Sequence, residues 1–235
     1  MSDQTFKVDT FLSAMSYKYD HSKDKFQIYP FITISREVGA GGRTLANTIL
    51  QKMEQELDKD LFHGWQVFDQ ELCKLVLQDS KLKVSLHSLL TEEYHSKVED
   101  MVAELALGYS GQDVVMFKIF KIIRTLASVG KVIIVGRGGA CVTQKMPLGL
   151  HFRLVAPLKV RIQRMEQILN THQDEALEII QEQDKARRRL VKSFFNREID
   201  DPLLYHAIFN SNSMSISNIA NTIVELIKMK KEINK

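Results

Sequence analysis

The sequence of 235 residues lacks the features that mark secreted, membrane-bound and metal-holding proteins. Only Cys73 and Cys141 are present, far apart and without C-x-x-C spacing, which argues against a disulfide framework and a thiolate zinc site. The seven histidines show no H-E-x-x-H or similar ligand spacing. The first twenty residues contain no uninterrupted apolar segment, and lysines break the longest apolar runs, so neither a signal peptide nor a membrane span is predicted. We therefore expect a cytoplasmic protein without membrane contact.

The chain also lacks a large excess of either charge. Its 32 basic and 29 acidic residues give a formal charge of +3, well short of what a dedicated nucleic-acid binder usually carries. Anion binding should therefore be local, and no nucleic-acid partner is expected. A hydrophobic content of 44% is enough for one substantial core, but it does not indicate an oligomeric state.

Short apolar segments alternate with amphipathic helical patterns, which predicts an α/β fold with a mainly parallel sheet. Five segments are typical of strands: "FITIS", "WQVFD", "KVIIVG", "HFRLVA" and "LYHAIFN". Residues 70–129 are too long for a simple crossover and are predicted to contain a helical insertion. Residues 1–27 are polar with a weak helical pattern, and we interpret them as an N-terminal appendage to a domain of residues 28–235.

The segment "TLANTILQKMEQEL" after the first strand is predicted to form a helix. Its apolar residues would lie on one side, and they are Leu45, Ile49, Leu50, Met53 and Leu57.

The stretch "ITISREVGAGGRTLA", residues 32–46, has the strand, glycine loop and helix order of a phosphate-binding loop but no Walker lysine. In the pattern G-x-x-x-x-G-K-[ST], only Gly41 falls on a required position. Arg36, Gly42 and Arg43 occupy the positions of the first glycine, the lysine and the hydroxyl residue. The stretch is either a phosphate loop with a different cation or a tight turn.

As a phosphate loop, this stretch would use its glycines for close backbone approach to a ligand. Arg43 and Thr44 open the following helix, where N–H groups and the positive end of the helix dipole favour an anion. The fork of an arginine can supply the missing charge, since it binds phosphate oxygens in pairs.

Two polar side chains follow other predicted strands at their carboxyl ends, where ligands lie in open α/β sheets. Arg137, within "GRGG", would point into the crevice, or it is a surface arginine between flexible glycines. Asp69 would face the same crevice, or it caps the helix that follows.

Charges also interrupt the apolar stripe of the long helix predicted over residues 174–197. Asp184, Arg187 and Arg188 have i, i+3 and i+4 spacing, so they face a cleft or pair with each other on an exposed surface. Arg161 and Arg164 share one face of the preceding helix, for which a solvated basic face is the default. Arg153 is interpreted as an edge or strand-end residue.

Taken in order, several segments resemble the bacterial cytidylate kinase-like family, a divergent relative of the CMP kinases. They are "ITISREVGAGGRTLA", "VFDQEL", "VIIVGRGGA", "RLVAPLKVRIQR", "DKAR" and "DDPLLYHAIFN". The resemblance covers about residues 31–230, and its specificity lies in the order and spacing. In that family the loop typically reads S-R-x-x-G-x-G-G-R, so the absent lysine is a family trait.

The resemblance implies a P-loop NTPase fold: a five-stranded parallel sheet flanked by helices, with a helical NMP-binding insertion over about residues 70–129 and a helical lid over about residues 174–200. It implies ATP and Mg²⁺ as cofactors and nucleotides as substrates. The residues implied to bind ATP are Gly39, Ala40, Gly41, Gly42, Arg43 and Thr44, with Thr44 contacting Mg²⁺ through the nucleotide. Arg137, Asp184 and Arg187 are implied to hold the acceptor. From the demands of phosphoryl transfer we further predict that Asp69 helps to position the acceptor and that Arg43, Arg187 and Arg188 act in catalysis.

We therefore predict an ATP-dependent phosphotransferase, a cytidylate-like nucleoside monophosphate kinase. The aspartate that helps to read cytosine in CMP kinases is replaced here by Gly138, and an arginine expected one turn before Asp184 is Ile180. A kinase with a small non-nucleotide acceptor is therefore one alternative. The other alternative is a catalytically silent nucleotide-binding module.

Overall fold

A computed structural model describes residues 29–69 and 114–233 of the chain. The predicted appendage, residues 1–27, and the predicted insertion up to residue 113 lie outside the described residues. The last part of the predicted insertion is a helix that ends at Val129.

Five parallel strands form one sheet in the order β2-β3-β1-β4-β5, which confirms the predicted fold class. The strands are β1 (Phe31–Arg36), β2 (Gln66–Phe68), β3 (Val132–Val135), β4 (Gly149–Val155) and β5 (Ala207–Asn210). In the register, Ile32 of β1 lies between Ile133 of β3 and Leu150 of β4. The central strands are apolar on both faces because helices cover both faces of the sheet.

Successive residues of the central strands therefore enter two different cores. Phe31, Val132 and Ile134 pack with one helix, whereas Ile32, Ile34 and their neighbours pack with helices on the opposite face. The helices are α1 (Gly42–Glu54), α2 (Lys59–Phe62), α3 (Val114–Val129), α4 (Gly139–Val142), α5 (Leu158–Leu169), α6 (Gln173–Phe195) and α7 (Ile216–Ile233). Helix α3 covers the first face, and α1 and α7 cover the second.

Helix α1 buries Leu45, Ile49 and Met53, as the sequence pattern predicts. The prediction for Leu57 was wrong, because the helix ends at Glu54 and the side chain of Leu57 is 94% exposed. The periodicity continues past a helix end that tertiary structure sets, so the pattern alone overextends the helix.

Helix α6 lies in the region predicted as a lid, residues 174–200, and it packs with α5 beside the glycine loop. A small core joins Val38 of the loop to Met165 of α5 and to Ala176 and Ile180 of α6. Helix α6 ends at Phe195, and its C-cap, Asn196, adopts a left-handed conformation with φ of 49°. Helix α6 is therefore anchored on the loop by apolar contacts.

Candidate active site

The glycine loop joins the end of β1 to the start of α1. Gly39 and Gly41 have φ of 75° and 93°, which only glycine adopts without strain. Gly41 is the N-cap of α1, and as a glycine it provides no side-chain hydrogen bond to the start of the helix. The first N–H groups of an α-helix have no partner within the helix, so this uncapped start is suited to an anion.

Three successive carbonyl groups of the loop accept hydrogen bonds from side chains of α5 and of the turn after β5. Arg161 Nη1 donates to the carbonyl of Val38 at 3.2 Å, and Arg164 Nη1 donates to that of Gly39 at 3.3 Å. The hydroxyl of Ser211 donates to the carbonyl of Ala40 at 2.8 Å. In a trans peptide the N–H points opposite to the carbonyl, so the N–H groups of residues 39 and 41 point away from these partners.

A buried ion-pair network fixes the same loop to helix α6. Asp184 of α6 accepts a hydrogen bond from the N–H of Val38 at 2.9 Å and from Arg161 Nη1 at 2.7 Å. Arg161 also lies 3.3 Å from Glu37 Oε2, and Arg187 lies 3.4 Å from Asp184 Oδ1. Each charge has partners, which offsets the cost of removing it from water.

A cavity of about 400 Å³ opens at the carboxyl ends of β1 and β3, the edge of the sheet where ligands bind in open α/β folds. Its walls come from the end of β1, from residues 136–141 and from one face of α6, with Tyr205 beside them. Residues 39–44 of the glycine loop lie next to this cavity but not in its lining.

Three arginine side chains line the cavity: Arg36, Arg137 and Arg187. Burial, together with the positive charges of Arg187 and Arg137, lowers the pKa of Arg36 to about 9, although the negative charges of Asp69 and Asp184 act in the opposite direction. Burial also lowers the pKa of Arg187, with the charges of Arg153 and Arg137 acting in the same direction against the raising effect of Asp184. A like-charged cluster of this kind is stabilised by a bound anion.

The backbone after β3 is strained at one of these arginines. Arg137 has φ of 55° and lies between Gly136 and Gly138, which also have positive φ. A left-handed conformation costs a residue other than glycine roughly 1–2 kcal/mol, and such strain is concentrated at functional sites.

The other predicted residues lie around the cavity rather than in it. Arg43 is 63% exposed, and its Nη2 lies 3.3 Å from Asp69 Oδ2 at the end of β2. Thr44 is exposed in the first turn of α1. Arg188 is also exposed and lies 3.5 Å from Asp200. Asp184 is buried in the network that supports the loop, so its predicted contact with the acceptor, like the other site assignments, remains a prediction.

Two interpretations made from the sequence were wrong. Arg153 is not an edge residue: it is buried within β4, between β1 and β5, and binds Ser35 Oγ at 3.0 Å and Asp200 Oδ1 at 2.5 Å. Arg161 and Arg164 do not form a solvated basic face, because both guanidinium groups bind the glycine loop. For Asp184 and Arg187 the sequence left two alternatives open, and the exposed pair is excluded because the two side chains are 8% and 24% exposed. A helix pattern does not reveal buried ion pairs between distant segments.

Sequence reasoning missed Arg36 as a site residue. It occupies the position of the first glycine in the phosphate-loop pattern, and an arginine where the pattern requires glycine was the available signal. It also missed Ser35 and Tyr205 in the cavity wall, where the hydroxyl of Tyr205 donates to Ser35 Oγ at 3.2 Å.

The parallel sheet flanked by helices and the glycine loop between β1 and α1 define a P-loop NTPase fold. The chain belongs to the cytidylate kinase-like family, whose sequence pattern matches residues 31–213. No curated protein matches the sequence.

Among solved structures, an uncharacterized protein from Eubacterium ventriosum is similar, with a TM-score of 0.65, 17% identity, and coverage of 86% of this chain and 99% of that one. Shikimate kinase from Bacteroides thetaiotaomicron has a TM-score of 0.48, 16% identity, and coverage of 85% and 98%. Shikimate kinase from Acinetobacter baumannii, in complex with shikimate, has a TM-score of 0.43, 16% identity, and coverage of 92% and 98%.

Within the described residues no helix is long and apolar enough to cross a membrane. In the same part of the chain, no three histidine, cysteine, aspartate or glutamate residues are grouped so that they could hold a metal ion.

Proposed function

We propose that this protein is an ATP-dependent phosphotransferase that transfers the γ-phosphate to an anionic acceptor, with a nucleoside monophosphate as the first candidate. The observation that carries the proposal is the convergence of Arg36, Arg137 and Arg187 on one cavity beside an uncapped helix start. Family membership supports the reaction type. Phosphoryl transfer needs little covalent help from protein, but it needs positioning and positive charge around the transferring group.

ATP would be held by residues 39–44, and Mg²⁺ would enter with the nucleotide, near Thr44. The uncapped start of α1 and the N–H groups that point away from α5 fit a polyphosphate. The cavity arginines would hold the acceptor and stabilise the charge on the transferring group. Asp69 would position the acceptor from the end of β2. An oxygen of the acceptor forms the new bond to phosphorus as the bond to the ADP oxygen breaks.

One observation favours a second acceptor class. A Cβ atom at Gly138 would lie 2.9 Å from a ring carbon of Phe195 and 3.2 Å from a methyl carbon of Leu190. Apolar groups thus fill the place where CMP kinases, by resemblance, carry the aspartate that helps to read cytosine. A smaller acceptor with a hydroxyl and an anionic group is the second candidate.

The test is ADP release from ATP and Mg²⁺ by the purified full-length protein, with a panel of nucleoside monophosphates and small hydroxylated anions as acceptors. Turnover with one acceptor class supports the proposal and identifies that class. Binding of ATP without turnover on any acceptor contradicts it and favours a silent nucleotide-binding module.

Two arginines of α6 provide matched variants for that assay. We expect Arg187→Ala to lower kcat by about 100- to 1,000-fold, as for removal of one donor to a transition-state charge. Arg189→Ala, at an exposed position two residues along the helix, should stay within about twofold of the unaltered protein. Thermal melting of both variants separates lost catalysis from lost folding.

A further inference from the structure

The lysine position of the phosphate loop contains a glycine, but the space beside it is not empty. A Cβ atom at Gly42 would lie 2.8 Å from Cγ of Arg36, with Cβ and Cδ of the same side chain at 3.2 and 3.3 Å. The stem of Arg36 thus occupies the space where any side chain of residue 42 would begin. A lysine at position 42 is incompatible with Arg36 in this conformation.

A second glycine makes room for the other end of Arg36. A Cβ atom at Gly136 would lie 2.8 Å from Arg36 Cζ and would overlap Nη1. Arg36 therefore extends from the glycine loop to the loop after β3, and its guanidinium reaches the cavity. Substitution at either glycine would displace it.

Among the described residues, the guanidinium of Arg36 has no direct ion-pair partner. Within residues 29–69 and 114–233, no carboxylate oxygen lies within 4.0 Å of it. Its pKa is lowered first by burial and then by the charges of Arg187 and Arg137, against the weaker raising effect of the more distant carboxylates of Asp69 and Asp184. By contrast, Arg153 and Arg161 have carboxylate partners at 2.5 and 2.7 Å. A half-buried cation without an anionic partner is costly, and the cost is offset when an anion binds.

We propose that Arg36 is the cation that replaces the Walker lysine, binding oxygens of the nucleoside triphosphate from beneath the loop. The two positions have exchanged residue types: the pattern has glycine at position 36 and lysine at position 42, whereas this chain has arginine and glycine. This assigns to Arg36 the role that the sequence suggested for Arg43, whose side chain is 63% exposed beside Asp69. The proposal rests on the proposed function, because it requires that the loop bind a triphosphate.

The exchange can be reversed in a double-mutant cycle read by calorimetry with ATP and Mg²⁺. Arg36→Gly should weaken ATP binding by about 10- to 100-fold, the effect of losing a hydrogen bond to a charged group. Gly42→Lys alone should also weaken binding, because the new side chain meets the stem of Arg36. The double variant Arg36→Gly with Gly42→Lys should recover at least about tenfold of the lost affinity, since it places glycine and lysine at the two positions where the pattern has them.

The outcomes separate this inference from the proposed function. If the unaltered protein does not bind ATP, both fail. If the unaltered protein binds ATP and Arg36→Gly binds it equally well, only this inference is wrong. The same holds if Arg43→Ala, rather than Arg36→Gly, weakens ATP binding.

A measurement on the unaltered protein covers the case in which Arg36→Gly does not fold. The guanidinium resonance of Arg36, assigned in an NMR spectrum with the help of Arg36→Lys, should shift when a nonhydrolysable ATP analogue is added. No shift at saturating analogue overturns the proposal.

Discussion

Asp184 gives the most specific prediction from the structure, because its charge is buried where helix α6 packs against the glycine loop. Its side chain is 8% exposed, and it accepts from the N–H of Val38, from Arg161 and from Arg187. Replacing Asp184 with alanine removes the shortest ion-pair partner of Arg161 and leaves that guanidinium buried. Only Glu37, at 3.3 Å, remains as a carboxylate partner among the described residues.

The expected cost is large for a single substitution. Removal of one partner from a buried ion pair costs about 3–5 kcal/mol, and the remaining contact with Glu37 places this case near 3 kcal/mol. For a domain of this size, each kcal/mol shifts Tm by about 2–4 °C. Asp184→Ala should therefore lower Tm by about 6–12 °C.

The assay is thermal unfolding followed by circular dichroism, with Glu198→Ala as the control. The pair of Lys192 and Glu198 has the same 2.7 Å separation as that of Arg161 and Asp184, but its side chains are 56% and 69% exposed. An exposed pair contributes about 0–1 kcal/mol, so this control should shift Tm by no more than about 4 °C. Equal small shifts in Tm for both variants would refute the reasoning. A raised KM for the acceptor in Asp184→Ala, with an unchanged Tm, would instead support direct contact between Asp184 and the acceptor.

Two further predictions concern stability. Burial, with the positive charges of His206 and Lys230, lowers the pKa of His151 to about 4, below the unfolded value of 6.5. Between pH 6.5 and pH 4 the unfolded state binds this proton and the folded state does not, so the free energy of unfolding should fall by about 3 kcal/mol as the pH is lowered over that range. His151→Gln should make the free energy of unfolding in urea less dependent on pH. A profile that the substitution leaves unchanged would contradict this. Separately, Gly39→Ala should lower Tm more than Gly64→Ala: both residues have positive φ, but a Cβ at Gly39 would lie 2.7 Å from the backbone oxygen of Arg161, whereas Gly64 has open space. Equal shifts would show that the collision has no cost.

The arrangement of strands and helices was accessible from the sequence because it depends on local periodicity. The segments "FITIS" and "KVIIVG" are continuous apolar runs, and both are central strands covered on two faces. The glycine loop was located because its strand, glycine and helix order is local too. The end of α1 near Leu57 was not, because the capping interactions depend on the surrounding fold.

The hydrogen bonds and ion pairs of the site were less predictable from the sequence because they join residues far apart in the chain. Arg161 and Asp184 are 23 positions apart, and Arg153 and Ser35 are 118 apart. No pattern on one helix indicates such partners, and exposed basic residues are the more common case. Arg36 was hidden for a different reason: its role depends on space left by Gly42 and Gly136, which only the folded chain brings together.

The most direct test of the account is a crystal structure of the protein with a nonhydrolysable ATP analogue and Mg²⁺. The account predicts polyphosphate at the start of α1, with the guanidinium of Arg36 within hydrogen-bond distance of its oxygens. A polyphosphate held by Arg43 alone, with Arg36 still against Gly136, would contradict the assignment of the cation. A glycine loop without bound polyphosphate would contradict the proposed function itself.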